Sequence, residues 1–159
     1  MRYDMFQDCS EQDVKRVLNN IKENLQKLVF FKNKHILFRH VDCTDEYLQE
    51  RLVVENLHSA TSYYTLKDAK ESILDAINYY WDTEIKEFLW SYEDRWVLTF
   101  DTKKPVGYGY IRNRDGVFED CHIVYVVLQK DDNYDLGFYP LTTYPIITKD
   151  LVIDTTIYN

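Results

Sequence analysis

Glycine and proline are scarce in this chain of 159 residues, which holds four of the first and three of the second. So few chain breakers leave no room for a low-complexity linker, and no internal repeat is present, so one compact body is expected rather than two independent domains. Cysteine is scarce as well: Cys9, Cys43 and Cys121 are odd in number, scattered, and never paired as CxxC. That pattern supports neither a disulfide framework nor a zinc site, and it suits a reducing compartment. An uninterrupted apolar run of about 18 residues is absent, and the start, MRYDMFQDCSEQD, lacks the basic head and apolar run of a signal peptide. A soluble protein is expected, one that would leave a cell by a dedicated secretion route or as part of a longer chain.

Positive charge is in deficit overall, with a net charge of −8 at pH 7, which argues at first against a polyanion as partner. The distribution qualifies this. Between positions 15 and 39 stand Lys15, Arg16, Lys22, Lys27, Lys32, Lys34 and Arg39 against the single acid Glu23, while the acidic surplus lies mostly beyond residue 60. One positive face on an acidic body would result, although a solvated helix face explains most charge runs.

Apolar content of 45% and aromatic content of 16% provide for a proper core. Val14, Val17, Leu18, Ile21, Leu25, Leu28 and Val29 recur at steps of three and four, which predicts an amphipathic helix over 13–31. Residues 1–34 are expected to be a helical extension packed on a domain that spans 35–159. KHILFRHV reads as a short extended segment that delivers His35 and His40. A short helix follows, capped by Thr44 with Asp45 and Glu46 in its first turn and Arg51 two turns in. Beyond the polar stretch NLHSATSYY, the longest periodic run extends from Leu66 to Trp90, with Thr65 and Asp68 as a capping pair. From residue 95 the period turns twofold, with strands expected over 96–100, 106–112, 121–129 and 134–143, the third of them central. Gly107 and Gly109 in VGYGYIR imply close backbone approach or a bulge, and Pro145 is expected to stop the last ladder. Residues 149–158 are open between an edge strand and a tail.

His40 and Arg51 form the first candidate constellation, a proton carrier beside an anion clamp. The bland alternative makes His40 a half-buried core histidine and Arg51 a surface residue paired with Glu50 or Glu55. Thr142 and Tyr144, two apart on a strand, point to the same side and extend the set. The Tyr79-Tyr80-Trp81 cluster is read as core rather than as a base-stacking platform.

These segments, in this order, resemble the bacterial ribonuclease A-like toxin domains found at the C-termini of contact-dependent growth inhibition proteins and related polymorphic toxins. The resemblance rests on HVDCT at 40–44, Arg51-Leu52, Ser62-Tyr63 before the long helix, Gly107-Tyr108-Gly109, Val126-Val127-Leu128 and Thr142-Thr143-Tyr144-Pro145. It covers about 35–146, and His35 fits a histidine that often precedes the catalytic one. Asp42 and Cys43 depart from it, standing where the family commonly has Gly and Lys, which removes a cation expected near the phosphate.

The resemblance implies an α+β fold, with N-terminal helices followed by a mainly antiparallel, strongly curved sheet without disulfides. It also implies an active site of His40, Arg51, Thr142 and Tyr144, with Lys34, His35 and Arg39 as RNA contacts. The chemistry would be metal-independent and free of cofactors. A base takes the 2′-OH proton, the oxygen attacks phosphorus, and an acid protonates the departing 5′-oxygen, leaving a 2′,3′-cyclic phosphate. Arg51 would hold the phosphorane and Thr142 a non-bridging oxygen or the base, while Tyr144 supplies either the second proton or a hydrogen bond. The expected partners are RNA, tRNA included, and a cognate immunity protein, with no membrane. The expected site of action is the cytoplasm of a neighbouring cell. The alternatives are an acidic, non-catalytic binding protein such as an immunity protein or antitoxin, favoured by the pI near 4.9, and a coiled-coil partner module built on 13–31.

Overall fold

The computed structural model describes residues 39–133 and 136–148. The helix expected over 13–31, the extension to residue 34, Lys34, His35 and the stretch 149–158 lie outside the described residues. Helix α1, Asp45–Val54, is capped as its sequence requires: Thr44 Oγ1 accepts the Tyr47 amide at 3.2 Å, and Asp45 and Glu46 occupy the positive first turn. It buries Leu48 and Leu52 with Cys43 against Ala60 and Tyr110, a small core of its own.

The longer run is α2, Leu66–Tyr80, continued by a π-helical turn over Trp81–Ile85 into α3, Lys86–Trp90. Thr65 caps α2 by accepting the Asp68 amide at 3.1 Å while its hydroxyl donates to Asp68 Oδ2 at 2.9 Å. Ala69, Ile73, Ile77, Trp81, Ile85 and Leu89 are all buried, at strict steps of four. In an α-helix each such step overshoots a full turn by about 40°, so the stripe would drift off the core. The wider π turn takes up that drift and keeps Ile85, Phe88 and Leu89 on the sheet.

Among the described residues six strands form two antiparallel sheets, ordered β1-β3-β4 and β2-β5-β6. Their ranges are β1 Ser59–Tyr63, β2 Arg95–Asp101, β3 Gly107–Ile111, β4 Phe118–Cys121, β5 Ile123–Lys130 and β6 Phe138–Ile146. Helices α2 and α3 lie on the second sheet over Leu98, Val124, Val126, Leu128 and Phe138, each removed from water and worth roughly 1.5–3 kcal/mol as a buried side chain. The sheets meet along β1 and β6. There Thr61 Oγ1 donates to the Pro145 carbonyl, and the Tyr63 hydroxyl lies 2.6 Å from that of Thr143. A Cβ at Gly107 would collide with the Ser62 carbonyl and the Pro145 ring, so this residue has to be glycine where β3 passes the junction.

The fold is α+β and antiparallel as expected, with β5 central, and the curved sheet is resolved into two. Four local readings change. Arg39 and His40 are helical rather than extended, and Val41 makes only an isolated parallel bridge to Tyr63. The polar stretch before α2 contains β1, which lies at the middle of the molecule. The single strand expected over 121–129 is two, because the chain leaves one sheet at Cys121 and enters the other at Ile123. Pro145 pairs with Val124 inside the ladder instead of ending it; β6 is an edge strand, where a missing N–H is tolerated.

Candidate active site

His40 stands just ahead of a tightly held turn. Asp42 has φ of 49°, in the left-handed region that favours glycine and that aspartate tolerates better than most residues. Its amide donates to the Tyr63 carbonyl at 3.0 Å, the Cys43 amide donates to Ser62 Oγ at 3.0 Å, and the Tyr108 hydroxyl donates to the Cys43 carbonyl. The segment HVDCT is thereby fixed to the end of β1, and His40 is buried beside it. The two departures from the family pattern also find their places. Position 42 is the glycine-like turn, and the Cys43 side chain packs into the small core under α1, where burial pushes its thiol up.

Arg51, in the last turn of α1, is buried as well. Its Nε donates to Glu55 Oε2 at 2.8 Å and its Nη1 to the Arg39 carbonyl at 3.3 Å. Arg39 binds the other Glu55 oxygen. The two guanidinium groups hold the Glu55 carboxyl below the usual carboxylate range, Arg51 contributing most. Part of the bland reading is therefore true, since Arg51 does pair with Glu55, but it does so inside a cleft rather than on the surface.

The last two residues come from β6, through a bulge. The register against β5 shifts between Val127 and Leu128, so that Leu141 is the extra residue. Before it Phe138 and Pro140 face the core; after it Thr143 and Pro145 do. The change of parity turns Thr142 and Tyr144 together to the opposite side, where they join His40 and Arg51 around one cleft of about 570 Å³. The rings of His40 and Tyr144 are 5.2 Å apart, and Tyr125 meets Tyr144 edge-on at 5.8 Å. Burial, with Tyr125 beside it, raises the Tyr144 phenol above its ordinary range. Thr142 Oγ1 is buried without a hydrogen-bond partner among the described residues, an unsatisfied hydroxyl on a residue that lines the cleft.

All four expected catalytic residues thus share one cavity, and Arg39, expected as an RNA contact, lines it too. Sequence reasoning missed His58 and Tyr125 on its walls, and had Glu55 only as a surface partner of Arg51. His58 sits in a polar stretch without periodicity, and Tyr125 inside an apolar strand, so neither carried a local signal. Among the described residues no group of three His, Cys, Asp or Glu side chains could hold a metal ion, and no helix is long and apolar enough to cross a membrane.

Two small antiparallel sheets, α1 packed on the first and α2 and α3 on the second, with a cleft at their junction, define an RNase A-like α+β domain. The chain belongs to the bacterial CdiA-CT RNAse A domain family, whose model matches residues 34–145. It is accordingly an endoribonuclease domain of the bacterial toxin class, and a non-catalytic binding protein is not favoured. In fold it is similar to a chain of the CdiA-CT/CdiI complex from Y. kristensenii 33638, with a TM-score of 0.66 and 21% identity over 72% of this chain and 100% of that one. No curated protein sequence matches it.

Proposed function

We propose that the domain cleaves RNA without a metal ion, by attack of a ribose 2′-oxygen on the adjacent phosphorus to leave a 2′,3′-cyclic phosphate. The convergence of His40, Arg51, Thr142 and Tyr144 on one cleft carries this reading. His40 takes the 2′-OH proton, a task suited to histidine near neutral pH. Arg51 faces the phosphate with its position set by Glu55 and the Arg39 carbonyl, and it binds the charge that builds on the phosphorane. Thr142 donates its unpartnered hydroxyl to a non-bridging oxygen. The raised phenol of Tyr144 makes it a poor acid, so it acts by donating a hydrogen bond.

Lys34, His35 and Arg39 contact the RNA, tRNA among its targets. The domain acts in the cytoplasm of a neighbouring cell, delivered as part of a longer secreted chain, and a cognate immunity protein protects the producer. The structural neighbour, a CdiA-CT/CdiI complex, supports such a partner. Purified protein should degrade RNA in excess EDTA, while His40→Ala should lose at least about 100-fold in rate. Equal rates for the two proteins, or loss of wild-type cleavage in EDTA, would refute the proposal.

A further inference from the structure

The reaction proposed above needs two proton transfers, and the cleft residues assigned so far provide for one. His40 accepts the proton of the 2′-OH. Cleavage of the P–O5′ bond then releases an alkoxide, which is a very poor leaving group unless a proton reaches it in the transition state. The other titratable groups of the cleft are unsuited to that task. Arg39 and Arg51 do not release protons near neutral pH. Glu55 is held ionised by both arginines, and the Tyr144 phenol is raised by burial.

Besides His40, His58 is the imidazole that lines the cleft, the side chain best matched to proton transfer near neutral pH, and its placement fits. It lines the same cleft as His40 yet stands exposed, on the turn immediately before β1. The turn is rigid: the His58 carbonyl accepts the Arg112 amide at 2.8 Å, and the next residue, Ser59, pairs with Ile111 in the sheet. Among the described residues the imidazole makes no hydrogen bond. Buried His40 and exposed His58 therefore occupy the inside and the rim of one cavity, with Arg51 on its wall between them in sequence. A leaving strand has to depart past the rim into solvent.

We infer that His58 is a second catalytic residue, the general acid that protonates the 5′-oxygen as the chain breaks. In the full step the 2′-oxygen loses its proton to His40 and forms a bond to phosphorus. The P–O5′ bond breaks, and its electron pair takes the His58 proton. The products are a cyclic phosphate and a free 5′-hydroxyl, with the two histidines left in exchanged protonation states.

Leaving-group chemistry tests this, given the nuclease reading on which it rests. Two substrates are compared: a single-stranded oligoribonucleotide, and the ribonucleoside 3′-(p-nitrophenyl phosphate) carrying the base found at the mapped cleavage site. Nitrophenolate leaves as a stable anion and needs no acid. His58→Gln should lose about 100-fold or more in kcat/KM on the oligonucleotide but less than about 10-fold on the nitrophenyl ester. Tyr144→Phe, which removes a hydrogen bond to the phosphate, should lose similar factors on both. Equal losses for His58→Gln on the two substrates, unchanged RNA cleavage, or selective rescue of Tyr144→Phe would each overturn the assignment. His58→Asn, of different shape at the same exposed position, should reproduce the His58→Gln pattern, and divergence between the two would also count against it. A wild-type chain that cleaves neither substrate would instead sink the nuclease reading itself.

Discussion

Asp42 shows how one residue can depart from a family pattern without departing from its geometry. The turn that sets His40 demands a left-handed backbone, φ 49°, and holds it by the hydrogen bond from the Asp42 amide to Tyr63. Glycine meets that demand without cost, aspartate at a small cost, and a β-branched residue at roughly 1–2 kcal/mol. Asp42→Gly should therefore unfold in urea within about 1 kcal/mol of wild type and keep its RNA cleavage, because relief of the turn is offset by a looser unfolded chain. Asp42→Val should lose about 1–2 kcal/mol. Equal midpoints for Val and wild type would mean that the turn does not enforce its conformation. Single residues were otherwise unevenly legible in the sequence. His40, Arg51, Thr142 and Tyr144 could be read from their collinear order, each in a segment with its own pattern. His58 and Tyr125 could not, since they reach the cleft only through the folding of β1 and β5 beside β6.

Among the elements, the helices with strong caps and long apolar stripes were plain in the sequence, and so was the central strand β5. Strands built of small polar residues were not. SATSY, which forms β1, has no apolar alternation, and it is held by neighbours far along the chain: Gly107 to Ile111 on one side, Thr143 and Pro145 on the other. The junction of the two sheets carries a consequence for stability. Thr143 donates its hydroxyl to the Tyr125 carbonyl at 2.7 Å, so it must accept from Tyr63, whose buried phenol is pushed well above its usual range. Thr143→Val removes the hydroxyl that links that phenol to the Tyr125 carbonyl, and should cost about 1–3 kcal/mol in denaturant unfolding. Tyr63→Phe in the same chain should cost less than its own loss in wild type, because the partner it abandons is already gone. Additive losses would show that the two hydroxyls do not act as a pair across the junction.

At the scale of the whole molecule, a chain of net charge −8 has to bind a polyanion. An acidic body repels RNA everywhere except where cations are concentrated, and the cleft offers Arg51 and Arg39, both of them partly neutralised by Glu55. The basic run between positions 15 and 39 is the other concentration of positive charge, and it adjoins His40 in sequence. If it contacts the RNA backbone, each lysine releases about one counterion, so that binding weakens steeply with salt. Replacing Lys15, Lys22, Lys27 and Lys32 together by glutamine should raise KM several-fold at physiological salt and flatten the slope of log(kcat/KM) against log salt by about 1 for every lysine that touches a phosphate. The turnover number should stay unchanged, because the proton carriers and the phosphate clamp are untouched. An unaltered salt slope would assign these lysines to a solvated face and leave the arginines of the cleft to hold the RNA. A fall in kcat at constant KM would instead place the basic run in support of the catalytic geometry.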